Sequence, residues 1–138
     1  MEVKLFEFLP KEAIDIRTDV FMKEQGFQNE FDDTDQEAVH IVLMLQGRAA
    51  ATCRVYFSKK NESYMIGRVA VRKEYRGQKM GQALVREAEN YICARGGRKA
   101  MLFAQQSKKA FYEKQGYVVD GCEGAEEGCP HVMMEKEW

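Results

Sequence analysis

Gly67-Arg-Val-Ala-Val-Arg-Lys-Glu-Tyr-Arg-Gly-Gln-Lys-Met-Gly-Gln-Ala-Leu-Val85 runs an apolar strand into a basic, glycine-containing turn, and the turn opens an amphipathic helix. The first backbone N–H groups of a helix have no internal partner, and the helix dipole places about half a positive charge there. Glycine lets the main chain approach a ligand and adopt positive φ. Arg72, Lys73, Arg76 and Lys79 add positive charge around the same point. The segment reads as a phosphate-binding turn, although an ordinary basic connection has the same features. A P-loop is excluded because the Gly-Lys-Ser/Thr ending is absent. A dinucleotide fingerprint is excluded because Gly77 and Gly81 have the wrong spacing and no acidic ribose contact follows.

Outward from this segment the periods are readable. Downstream, Met80, Leu84, Ala88, Tyr91 and Ile92 recur at helical spacing until Gly96-Gly97. Residues 99–104 read as a short buried strand, 107–115 as a short helix ended by Gly116, and 117–119 and 131–135 as closing strands joined by a Gly/Glu loop. Upstream, residues 39–45 and 49–57 form a hairpin about Gln46-Gly47, and residues 64–71 follow as a third strand. Residues 3–8 read as a strand, and Ala13, Ile16, Val20 and Phe21 as the stripe of a helix closed near Gly26. Residues 27–37 are acidic and irregular. The order is strand, helix, three strands, helix, strand, helix, two strands, which a mixed sheet with helices on its faces accommodates.

The 138 residues suit one domain, residues 1–138. A hydrophobic fraction of 45% with 31% charged residues is that of a folded globular chain. The net charge of -1 exerts no global pull on nucleic acid or anionic membrane. No apolar run approaches the roughly 20 residues that span a bilayer, and residues 1–10 lack the apolar stretch of a signal peptide, so the expected compartment is the cytoplasm. Cys53 and Cys93 sit in apolar patterns and read as small buried side chains. Cys122, Cys129 and His131 form a loose Cys-x6-Cys-x-His that fits no usual zinc spacing, so no metal is expected, and a late disulfide is disfavoured in a reducing compartment.

Arg76-Gly77-Gln78-Lys79-Met80-Gly81, preceded by Arg68-Val69-Ala70-Val71, resembles the Arg/Gln-x-x-Gly-x-Gly/Ala signature of the GNAT acetyltransferase superfamily. Phe111-Tyr112-Glu113-Lys114-Gln115-Gly116-Tyr117, after Gln105, resembles its Phe/Leu-Tyr-x-x-x-Gly-Phe/Tyr motif. Both stand in the family order and together cover about the C-terminal half; the N-terminal half is similar to a small bacterial subgroup. The resemblance implies an α/β (α+β) fold with a mixed, mostly antiparallel central sheet and helices on both faces. It also implies transfer of an acetyl group from acetyl-coenzyme A to a primary amine by direct attack. A non-catalytic acyl-CoA-binding module is the alternative. One departure is Lys79, where the family commonly has glycine; the expectation is a helical φ there.

By the same resemblance, the backbone of Val69, Ala70 and Val71 would bind the pantetheine arm while the side chains pack in the core. Arg76, Gly77, Gln78, Lys79, Met80, Gly81 and Gln82 would hold the pyrophosphate, and Gln105 would lie beside the cofactor. Lys108 and Lys109, or Arg72 and Lys73, are candidates for the 3′-phosphate, against a reading as solvated charge. Tyr112 is the expected acid for the departing thiolate, the other reading being a core tyrosine. For the base the candidates are Glu24 and His40, the former otherwise a surface residue and the latter a core histidine. The acidic residues 32–35 would attract a cationic amine or form an exposed loop. Expected partners are acetyl-CoA and an amine, with no nucleic acid or membrane, in a monomer or homodimer.

Overall fold

Apolar alternation along the second strand, β2 (Val39–Leu45), sends Ile41 and Leu43 to one face and Val42 and Met44 to the other. All four are buried, so the sheet must be covered on both sides. On the first face lies α3 (Met80–Ala94), whose Leu84, Val85, Ala88 and Ile92 pack against Ile41, Leu43, Cys53, Val55 and Ile66. On the second lies α1 (Lys11–Arg17), prolonged by a π-helical stretch Thr18–Glu24, with Ala13, Ile16, Val20 and Phe21 against Val42, Met44 and Ala70. This computed structural model describes residues 1–138 apart from the side chain of Cys122.

The other strands are β1 (Glu2–Phe6), β3 (Arg48–Ser58), β4 (Ser63–Val71), β5 (Lys99–Gln105), β6 (Val118–Glu126) and β7 (Cys129–Glu137). They form a seven-stranded sheet in the order β1-β2-β3-β4-β5-β7-β6, antiparallel throughout except between β4 and β5. Two short helices, α2 (Thr34–Glu37) and α4 (Lys109–Glu113), complete the fold. This is the mixed, mostly antiparallel sheet with helices on both faces that the resemblance implied. The Gln46-Gly47 turn has φ of 53° and 78°, the pair of left-handed residues that a two-residue hairpin needs.

Two expectations change. The Gly/Glu stretch is strand, because β6 pairs with β7 as far as Glu126↔Cys129 and turns at Glu127-Gly128, both at positive φ. Alternation was invisible there since β6 is an exposed edge with little apolar side chain. Cys93 is exposed, one position beyond the buried stripe of α3, whereas Cys53 is buried. The Cys122 part of the Cys122, Cys129 and His131 spacing lies outside the described residues.

The acidic residues also turn inward. Arg17, 1% exposed, donates from Nε to Glu30 Oε2 at 2.8 Å and from Nη1 to Asp35 Oδ1 at 2.7 Å. Arg54 Nη1 reaches Asp35 Oδ1 at 2.9 Å and Asp32 Oδ1 at 2.6 Å. Arg68 joins from β4, with Nε 3.0 Å from Glu30 Oε2 and Nη2 3.3 Å from Asp32 Oδ2. Three guanidinium groups meet three carboxylates, so the network is charge-balanced. It ties the connection before β2 to the centre of the sheet. Burial raises the Asp35 carboxyl, but the hydrogen bond and charge of Arg17 outweigh it and hold the group at about 2.

Replacing Arg17 by methionine unbalances the buried network, leaving Glu30 to Arg68 and Asp35 to Arg54 alone, and urea denaturation should show a loss of about 3–5 kcal/mol. Because the folded pKa of Asp35 lies below its unfolded value, its contribution is complete above about pH 4 and lost as pH falls through 2. The wild-type unfolding free energy from urea denaturation should therefore fall on acidification through that window, by an amount on the order of 2 kcal/mol.

Candidate active site

β4 and β5 pair only through Tyr64↔Ala100 and Met65↔Met101, then separate. The cause lies in β4. Thr52 of β3 faces Ala70 and Arg54 faces Gly67, so Arg68 and Val69 together oppose Cys53. This bulge, with Arg68 at φ 53°, bends β4 away from its neighbour. The positive φ is held by the guanidinium contacts of Arg68 to Glu30 and Asp32. The separation opens a cleft of about 250 Å3 whose walls include Val69, Phe103, Gln105, Tyr112, Glu30 and His131. Backbone N–H and C=O groups of β4 beyond Met65 lack a strand partner on that side, as at a sheet edge.

At the end of β4 the chain passes through a 3-10 turn, Lys73–Tyr75, and enters α3. Its first helical bond runs from Ala83 N–H to Lys79 C=O at 3.1 Å, leaving the amides of Met80, Gly81 and Gln82 without an intrahelical acceptor. Gly77 has φ 81° and nothing within 4 Å of where a Cβ would stand, so the bend is open to solvent. Gly81 is different: a Cβ there would lie 3.0 Å from the Phe111 ring, which links the turn to α4. Lys79 has φ 62°, ψ 23°. The expected helical φ is thus overturned; the turn needs a left-handed residue, and lysine occupies it at a cost of about 1 kcal/mol.

The expected cofactor residues are together at this place. Val69 lines the cleft and its side chain packs on the core, as does that of Val71, while Ala70 is buried on the α1 face. Arg76 spans the turn, donating from Nε to the Val71 carbonyl at 3.0 Å and bidentately to Glu24 at 2.9 and 3.0 Å. Gln105 lines the cleft and donates to Gln25 Oε1 at 2.8 Å. Arg72 is paired with Asp19 at 2.6 Å, whereas Lys108 lies on the cleft wall.

Tyr112, on α4, is 7% exposed and lines the cleft, and its hydroxyl makes no hydrogen bond to any described residue. Burial, helped by the nearby Cys53 thiol, pushes its phenol well above the ordinary tyrosine value. The phenol therefore stays protonated at neutral pH.

The two proposed bases are elsewhere. Glu24 is held by Arg76 outside the cleft lining. His40 is 1% exposed, faces Arg54 across the β2–β3 ladder, and donates from Nε2 to the Asp35 carbonyl at 2.9 Å. Its Nδ1 is buried and unpartnered among described atoms, and burial lowers its pKa, so it is a neutral core histidine. Two cleft residues escaped the sequence. Glu30 lies on the wall with its carboxyl raised by burial against the pull of Arg68 and Arg17. His131 is 4% exposed and stacks on Phe103 at 5.0 Å between ring centres. The hairpin tip closes one side, for Glu127 accepts the amides of Gln28 and Asn29 at 2.8 and 2.9 Å.

Comparison with known proteins agrees with this geometry. The profile of the acetyltransferase (GNAT) domain matches residues 10–138. The uncharacterized protein YyaT of Bacillus subtilis (strain 168) is 30% identical over 131 residues, covering 91% of this chain and 87% of that protein. The crystal structure of Escherichia coli ElaA superposes with a TM-score of 0.85 at 26% identity, covering 99% of both chains. An aminoglycoside 6′-N-acetyltransferase complexed with coenzyme A shares the fold, at TM-score 0.77 and 15% identity over 99% of this chain and 97% of that one. The chain belongs to the GNAT acetyltransferase family.

Lys79→Gly should relieve the left-handed strain without touching the core. Thermal or urea unfolding is expected to show a gain of about 1 kcal/mol.

Proposed function

We propose that the chain transfers an acetyl group from acetyl-CoA to a primary amine, of a small molecule or a protein, by direct attack in a ternary complex. The observation that carries this reading is the separation of β4 from β5 beside an open, amide-rich helix start. The unpaired β4 edge around Val69 offers main-chain hydrogen bonds to the pantetheine arm, which would lie there as an added strand. The free amides of residues 80–82 and the dipole of α3 suit a pyrophosphate. A coenzyme A complex of a protein with this fold supports the same assignment.

Arg76 has a double part in this proposal. Without cofactor its guanidinium is occupied by Glu24 and by the Val71 carbonyl. A pyrophosphate at the turn competes with Glu24 for it, and releasing Val71 adds one more backbone acceptor to the β4 edge. Tyr112 protonates the departing thiolate. An ordinary tyrosine donates to a thiolate of pKa 8.5 with an uphill step of about 2 kcal/mol; burial of Tyr112 makes the step considerably steeper. The proposal carries the cytoplasm as the place of action and leaves the chain as one catalytic domain.

Two variants separate the roles, with thiol release measured over an amine panel and acetyl-CoA affinity measured by calorimetry. Tyr112→Phe should lower turnover tenfold to a thousandfold while leaving affinity within a few-fold. Gln82→Glu, which puts a negative charge at the helix start with no added bulk, should weaken acetyl-CoA and spare turnover at saturation. Equal loss of affinity in both would contradict the division. Cofactor binding with no amine-dependent release would remove the transferase reading.

A further inference from the structure

We infer that His131 is the group that takes the proton from the acceptor amine; this rests on the acyl-transfer reading above. An alkylamine near pKa 10.4 is over 99% protonated at pH 7, so a proton must leave before the nitrogen can attack. His131 sits on β7 opposite Gln105 of β5, on the cleft wall. Its Nδ1 lies 2.7 Å from the Cys129 carbonyl. A carbonyl oxygen can only accept, so Nδ1 carries the ring proton and Nε2 is the lone-pair nitrogen. Nε2 has the Glu126 carboxylate 3.7 Å away, beyond hydrogen-bond distance, so that carboxylate does not take up its lone pair. The Phe103 ring fixes the imidazole plane, stacking on it at 26°. Gly124 makes room for that ring, since a Cβ there would stand 3.1 Å from it.

The other charged or titratable groups on the cleft wall are Glu30, Arg68, Lys108, Tyr112, Glu126 and Glu127. Glu30 Oε2 is held by Arg17 and Arg68 inside a balanced network, and Glu127 is engaged by two backbone amides. Tyr112 stays protonated, and Lys108 and Arg68 are cations. Glu126 is half exposed and stands beside His131, and His131 is the imidazole with a fixed tautomer.

The proton balance closes. R–NH3+ gives one proton to His131 Nε2, and the free amine forms the N–C bond at the thioester carbonyl. The C–S bond breaks and the sulfur takes the Tyr112 proton. The tyrosinate recovers a proton from the acylated nitrogen, and the imidazolium releases its own to water. The products are amide, thiol and one proton.

The test uses the full chain, acetyl-CoA and the best acceptor from a panel of alkylamines, polyamines and lysine peptides. For the wild type, kcat/KM should rise with pH through one ionisation between pH 5 and 8, the range of imidazoles. His131→Gln and His131→Ala should lose that break and run about a hundredfold slower at pH 7. Acetyl-CoA affinity should stay within a few-fold in both, and added imidazole should restore part of the rate of His131→Ala. An unchanged profile and rate in both variants would overturn the inference while leaving acyl transfer standing. Loss of acetyl-CoA binding in both, or disappearance of the break in Glu30→Gln instead, would overturn it equally. A wild type that acetylates no amine of the panel overturns the transferase reading first, and this inference with it.

Discussion

Arg68 is held at positive φ by Glu30 and Asp32, and the opening of the sheet depends on that restraint. A bulge in a central strand gives up ladder hydrogen bonds and exposes main chain. Here the guanidinium of the bulged residue is anchored to a connection more than thirty residues away in sequence, itself fastened to α1 by Arg17 and to β3 by Arg54. The ion network therefore sets the geometry of the cleft as much as the stability of the fold. A buried balanced network is weak evidence for stability by comparison with apolar packing; its value in this fold lies in holding one backbone irregularity in place.

The second element is the turn into α3. Its open Gly77, left-handed Lys79 and unpartnered amides give a surface rich in N–H donors. Glu24 lies against that surface through Arg76, so a carboxylate already occupies part of the field that a phosphate would enter. An anion entering the turn would therefore exchange with Glu24 at the guanidinium of Arg76, and Glu24 would give up its ion pair.

Much of this was legible in the residues. The strand-turn-helix from Gly67 to Val85 and the Gln46-Gly47 hairpin follow from turn chemistry and periodicity. The side proposed to hold the cofactor was readable because it is built from contiguous backbone. The side proposed to receive the acceptor was not, because the cleft wall there is assembled from Glu30, Phe103 and His131, which no local period links. His131 was visible only as the end of a failed metal spacing, and its partner Phe103 as one more apolar strand residue. The positive φ of Lys79 and Arg68 was hidden because lysine and arginine give no local sign of a left-handed conformation; tertiary contacts impose it. The acidic run looked solvent-facing because its arginine partners lie on three separate elements.

The clasp between Glu127 and the amides of Gln28 and Asn29 joins residues 99 and 98 positions apart. Closing so long a loop carries an entropic cost that grows only slowly with length, but the contact has no local precursor. The two walls of the cleft thus come from opposite ends of the sequence, and the contact that joins them forms only when the β6–β7 hairpin meets the connection before β2.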